Sequence, residues 1–414
     1  MNQEQKDKKI NRLISLFTNG AIDECKRETR KTLEIYPNEP FLFNLLGVTH
    51  AETGLFEEAV ASYKKATQLN PEYFEVYNNM GVAYTHWKKP ELAVGSLKQA
   101  IKLNPNYAEA FNNLGNSQKE LSDFEDAIKS YERAIEIDPS YIDALCNLGI
   151  VLGLLERYSE AEEKYKKALA LDPSRKQTFY LYGSVLTKSK KLKEAKEKFE
   201  SILIMDPNFA EAHNGLGLVN FELKNFDEAL ENFQNAIKSK SDYLDAINNF
   251  GHTLQQNKQY EESIKVFEKA LSLDDKFLQS YNNLGKAHLD KGTLTKAKEI
   301  FYQGLKIDQD YLPIQKNLVD LFILTRNFSE AEKIVFSILE KNPKSAESYN
   351  ALGSINEKKG DFEKSKKYLN KALKLNPDLF SAKVNFIALK QHYGKIYEAK
   401  RSLEELLKEK EDSP

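Results

Sequence analysis

A single period governs this chain. Set out in blocks of 34 residues from Lys6, the sequence runs through twelve blocks to Ser413 without an insertion or a deletion. Glycine keeps the phase: Gly47, Gly81, Gly115, Gly149, Gly183, Gly217, Gly251, Gly285 and Gly353 stand at the eighth position, nine of the chain's 18 glycines. Proline keeps it again at the thirty-second position, which holds eight of 12, Pro71, Pro105 and Pro139 among them. A fixed period of this length means a stack of like supersecondary units, none of which can bury its apolar face alone.

The phases have separate physical reasons. Position 20 is always small: alanine in nine blocks, then Cys25, Ser263 and Ser365. Small residues at 8 and 20 allow two helices to approach, and the apolar residue at position 24 (Tyr63, Tyr131, Phe199, Phe301) fills the space between them. Asn70-Pro71, Asp138-Pro139 and Asp206-Pro207 end the second helix, because the residue before proline is driven out of helical geometry. Gly54, Ser122, Lys224 and Gly292, near position 15, mark a shorter turn between the helices. Each block therefore reads as helix–turn–helix.

The pattern L-G-x2-Y, then A-x3-F, then A and P, written here as "NNLG" (112–115) with "AI" and "DP" (134–139), resembles the tetratricopeptide repeat over almost the whole chain. It is most similar to the superhelical repeat arm of O-GlcNAc transferase and of related bacterial proteins. The resemblance implies an all-α fold, a right-handed α-solenoid superhelix of about twelve repeats whose first helices line a concave wall. Departures from the pattern set the expected boundaries. Residues 1–39 form a divergent N-terminal capping repeat, 40–379 ten regular repeats, and 380–414 a divergent C-terminal cap. Val319 and Ile387 replace the glycine of position 8, and Ile202, Gly304 and Ile338 break the alanine habit of position 27. Position 30, apolar in most blocks, is Glu409 in the last, which suits the end of a stack.

Net charge is −2, so no basic field draws nucleic acid or an anionic membrane. Two cysteines give no disulfide framework and point to a reducing compartment. The start, "MNQEQKDKKINRLISLF", is charged where a secretory signal needs an apolar core, and the most apolar stretch, residues 144–155, is too short to span a bilayer. A cytoplasmic protein is expected.

One feature resists the helical reading. "YNNMG", "FNNLG", "INNFG" and "YNNLG" place paired asparagines inside the first helix, although asparagine is about 0.5 kcal/mol worse than alanine there. At about 100° per residue, position 6 falls on the stripe opposite the core, which by the resemblance faces the groove. It is asparagine in eight blocks, Asn79, Asn113, Asn147, Asn249, Asn283, Asn317 and Asn385 with the outlying Asn11. The companion at position 5 points toward the neighbouring unit and is expected to bond locally. A carboxamide offers both donor and acceptor, as a peptide backbone requires. Helices about 8–10 Å apart and a strand rising about 3.3–3.6 Å per residue would bring one rung to every third residue or so. The arm of O-GlcNAc transferase implies the same use, an asparagine ladder holding substrate backbone. Alternatively, asparagine at this position is a soluble surface choice. Alanine at Asn249, Asn283 and Asn317 together is expected to weaken the binding of unfolded peptides while leaving thermal stability unchanged or higher.

The ladder is interrupted at Leu181 and Gly215, and Ile150, Leu154 and Leu218 lie nearby on the stripe. These form either an apolar belt for one or two bulky ligand side chains or ordinary packing between repeats. Acidic residues recur at position 2 (Glu75, Glu109, Asp143, Glu211, Asp245, Glu347). They either favour basic ligands or oppose their helix dipoles.

No catalytic constellation or cofactor motif is present. His50, His288 and His213 occupy core positions; His86, His252 and His392 face the groove singly, with no ligand partner at i+3 or i+4, and metal binding is not expected. Cys146 is expected to be partly exposed but has no base partner. The chain thus reads as a non-enzymatic scaffold, without cofactors, that binds extended protein or peptide partners and neither nucleic acid nor membrane. The alternative is an accessory or detached arm that delivers substrates to a separate transferase, a glycosyltransferase or sulfotransferase, since arms of this kind often precede such domains and here the repeats fill the chain.

Overall fold

A computed structural model describes residues 3–411, and these form 24 α-helices and no strand. The helices keep the sequence phase. In block three a 13-residue helix Phe74–His86 is followed by a 14-residue helix Pro90–Leu103, and block four repeats this with Ala108–Glu120 and Phe124–Ile137. The residue before the proline caps the second helix in extended geometry in several blocks: Asn70 has φ −136° and Asp138 φ −128°. Their side chains then bond the backbone two residues on, Asn70 Oδ1 accepting from Glu72 N at 3.1 Å and Asp138 Oδ1 from Ser140 N at 2.9 Å.

Position 15 turns the corner between the two helices, and it does so in left-handed geometry in every block. Five blocks use glycine, as at Gly54 (φ +74°); seven use a residue with a side chain, as at Lys88 (φ +58°) and Arg326 (φ +56°). The left-handed region costs an L-residue roughly 1–2 kcal/mol, and the packing on either side holds it.

The glycine of position 8 has a different task. A Cβ on Gly115 would lie 2.6 Å from Tyr131 Cε1, and one on Gly251 2.7 Å from Phe267 Cε1. The ring of position 24 therefore rests flat against helix backbone, which only glycine exposes. Tyr131, Tyr165, Phe199, Phe267 and Phe301 are all fully buried in this way. Block ten solves the same contact otherwise. Val319 replaces glycine and Val335 replaces the ring, both buried, so bulk has moved from one helix to the other.

The chain packs as two units, residues 1–219 and 220–414. Within each, a helix contacts its neighbours in sequence, and first helices of successive blocks also touch, as Phe74–His86 does with Ala108–Glu120 and Leu278–Asp290 with Leu312–Leu324. This is a solenoid: the core is a row of local clusters. In the first unit the largest surrounds Tyr131, Tyr165 and Phe199; in the second it surrounds Phe301, Leu318, Phe322 and Leu352. The side chain of Glu409, the expected end of the stack, lies outside the described residues.

Candidate functional site

First helices of successive blocks lie side by side, and their asparagines are bonded to one another across repeats. Asn79 Nδ2 donates to Asn44 Oδ1 at 3.1 Å, Asn113 Nδ2 to Asn78 Oδ1 at 2.9 Å, and Asn147 Nδ2 to Asn112 Oδ1 at 2.9 Å. The second unit repeats the motif: Asn283 to Asn248 at 3.0 Å, Asn317 to Asn282 at 2.8 Å, Asn385 to Asn350 at 2.9 Å. Position 6 of one block thus clasps position 5 of the block before it.

The buried partner is the more fully committed. Asn78 is 0% exposed. Its Oδ1 accepts from Asn113, while its Nδ2 donates to Glu109 Oε1 at 3.0 Å and reaches Tyr107 Oη at 3.4 Å. Asn350 likewise donates to Ser381 Oγ at 3.3 Å. A buried carboxamide without such partners would be costly, so the tolerance of asparagine in these helices rests on the neighbouring repeat. The surroundings also govern the tyrosines beside the clasps. Burial, then the carboxylates of Glu109 and Asp143, pushes Tyr141 up to about 12, and burial with Glu109 raises Tyr107 further. Both phenols stay protonated.

The position-6 asparagines are half-buried and keep part of their capacity. Each clasp uses one N–H. Asn113 and Asn283 also accept from their own chain neighbours, Asn112 at 3.5 Å and Asn282 at 3.0 Å. Asn79, Asn147, Asn317 and Asn385 make no second side-chain hydrogen bond among the described residues. The clasp reverses the outcome expected of one substitution: alanine at Asn283 and Asn317 would remove donors from Asn248 and Asn282, and we predict that stability falls rather than holds.

The signal was present in the sequence at an offset of 35, one beyond the repeat. At the ten junctions inside the units, six carry asparagine at both clasp positions and four carry it at neither: Ile10/Leu45, Cys146/Leu181, Tyr180/Gly215 and Lys316/Ala351. No junction has only one member. Position 2 joins this network through Glu109, which accepts from Asn78, whereas Asp143 pairs with Arg175 at an unclasped junction.

The expected apolar belt, all in the first unit, divides. Leu181 is half-buried against the core cluster and Ile150 is half-buried, whereas Leu154 is 51% and Leu218 37% exposed. Cys146, expected to show partial exposure, is buried at the unclasped junction with Sγ 3.5 Å from Thr178 Oγ1, and burial pushes its thiol up. The histidines expected to face a groove have ring partners: His86 stacks on Phe56, His252 lies against Phe221 at 5.1 Å, and His392 stacks on Phe362 at 4.4 Å while bonding Glu357 at 3.1 Å. Among the described residues, no three His, Cys, Asp or Glu side chains gather at a metal site, and no helix is long and apolar enough to cross a membrane.

Family models described as "Tetratricopeptide repeat" match residues 74–107, 108–141, 142–175, 210–243, 288–355 and 346–379, and one described as "TPR repeat" matches 47–85 and 251–292. Together these spans take in well over half the chain. No curated protein matches. Among solved structures, yeast Tom70 aligns with a TM-score of 0.55 at 15% identity, covering 97% of this chain and 98% of that one. A tetratricopeptide repeat protein from Parabacteroides merdae gives 0.51 at 19% identity, over 60% and 98%. A MamA structure gives 0.36 at 31% identity, over 38% and 93%. The first two share the fold.

Proposed function

Because the chain belongs to the tetratricopeptide-repeat family, we propose that it is a non-catalytic scaffold that holds extended segments of partner proteins along its first helices. The asparagines of position 6 would meet the partner's backbone. The observation that carries this reading is the half-committed carboxamide. A clasp through one N–H fixes the orientation of Asn79, Asn147 and Asn317, while the second N–H and the Oδ1 stay available for a peptide N–H and C=O. Each such bond contributes only about 0.5–1.5 kcal/mol net, so several in register would hold a segment without reading much of its sequence. The exposed Leu154 and Leu218 would add apolar contact in the first unit.

The experiment must separate binding from clasping. Asn113→Ala with Asn147→Ala removes the half-buried carboxamides and the clasps together; Asn78→Ala with Asn112→Ala removes the clasps, with the Asn78 bonds to Glu109 and Tyr107, but leaves the position-6 carboxamides in place. Affinity for a reduced and alkylated, permanently unfolded test protein should drop about tenfold in the first pair, which is about 1.4 kcal/mol, and change little in the second. Equal changes in both pairs would return the asparagines to a purely structural role.

A further inference from the structure

A hollow with an apolar lining lies at the unclasped junction of the second unit, as hollows also lie beside the clasped Asn79 and Asn113. Lys316 and Ala351 stand at the two clasp positions of the junction between blocks ten and eleven. A cavity of about 310 Å³ lies there, entered from the first-helix face. Its floor is Val319, Ile323, Val335 and Ile338. Three of these four depart from the repeat pattern: Val319 stands for glycine, Val335 for the usual ring, and Ile338 for alanine. The transfer of bulk from position 24 to position 8 fills the helix contact but leaves the space beneath Ala351, whose methyl group is all that replaces a carboxamide.

The rim is charged in a one-sided way. Asp320 and Glu347 line it against the single cation Lys316. Asp320 has no ion-pair partner within reach among the described residues. The ammonium of Lys286, whose field touches it, is held by Asp290 Oδ1 at 2.7 Å. Its packed surroundings outweigh that field and raise the Asp320 carboxyl, while its side chain still meets solvent at the rim. Glu347 has only the Ser345 hydroxyl, at 3.4 Å. Asp320, Ile323 and Ser354 also line a second hollow with Leu324 and Phe328, whose far side carries the cations Arg326 and Lys358.

We propose that this cavity is a side-chain pocket, in which an extended partner segment seats one leucine-sized apolar side chain while an adjacent lysine or arginine is held by Asp320 and Glu347. The inference rests on the scaffold reading and adds a sequence preference to a groove that otherwise reads backbone. A long basic side chain can lay its stem along the apolar lip with its charge at the carboxylates.

The test uses the full chain and three extended 12-residue peptides in a Gly-Ser host, carrying Leu-Lys, Ala-Lys or Leu-Glu at the centre, read by fluorescence anisotropy. Lys316→Asn with Ala351→Asn installs the pair that closes six other junctions, so the variant keeps a native type of contact. The wild type should bind the Leu-Lys peptide at least tenfold more tightly than either control, and the closed variant should lose that margin. Equal binding of the three peptides by the wild type, or an undiminished margin in the closed variant, overturns the pocket. If the margin is absent yet unfolded protein still binds through Asn113 and Asn147, the pocket fails and the scaffold reading stands.

Discussion

The junction of blocks five and six, in the first unit, and that of blocks ten and eleven, in the second, have both given up the carboxamide clasp, and they have replaced it differently. At Cys146/Leu181 the slot is filled with apolar bulk. Leu181 packs against the cluster of Leu145, Leu148 and Tyr165, and an Arg175–Asp143 ion pair closes the rim. At Lys316/Ala351 the slot is left open over a floor of valine and isoleucine. The contrast shows that the seam between repeats can be sealed in two ways, by paired amides or by hydrocarbon. The hollow at Lys316/Ala351 falls where the helix contact beneath it has also been rebuilt.

The largest effect should come from forcing the block-ten solution onto a regular block. Gly251→Val drives a branched side chain into Phe267 and should cost about 3 kcal/mol or more, beyond the usual 1–3 kcal/mol of overpacking, measured as a lower urea midpoint. Adding Phe267→Val should recover much of that loss, as Val319 and Val335 coexist in block ten; no recovery would mean that block ten depends on more than this exchange. Next, Leu181→Ala at the sealed junction should cost about 2 kcal/mol, whereas the same residue at position 351 is native. Asn113→Ala strips the donor from the buried Oδ1 of Asn78 and should cost about 1–2 kcal/mol, lowering Tm. Closing the open seam with Lys316→Asn and Ala351→Asn should raise stability by about 1 kcal/mol. A loss there would show that the seam is strained rather than merely vacant. Smallest of all, Leu154→Ser on the exposed part of the belt should stay within about 0.5 kcal/mol while weakening capture of unfolded protein.

What could be read from the sequence followed the range of the interactions. Helix limits, the turn at position 15 and the glycine-against-ring contact are set within one block, and Gly115, Tyr131 and Asp138-Pro139 announce them at fixed spacing. The clasp is set between blocks. A helical wheel places Asn113 on the open side of its own helix, but cannot show that Asn78 of the previous helix lies within bonding distance. The same blindness affected Cys146, which a single helix leaves half in view and the next helix covers through Thr178. The pocket was hidden for a related reason. Val319, Val335, Ile338 and Ala351 each read as local decay of the repeat, and only their assembly in space makes them one feature.

The corner at position 15 carries a practical consequence. Seven of these left-handed residues, Lys88, Ser122, Glu156, Lys190, Lys224, Lys258 and Arg326, have side chains that the geometry penalises. They stand one per repeat, too far apart to share partners, so relief at one should not interfere with relief at another. Glycine at each would exchange part of that penalty for extra freedom in the unfolded chain, a net gain of at most about 1 kcal/mol per site. Thermal tolerance in this protein is therefore adjustable in small additive steps, one corner at a time.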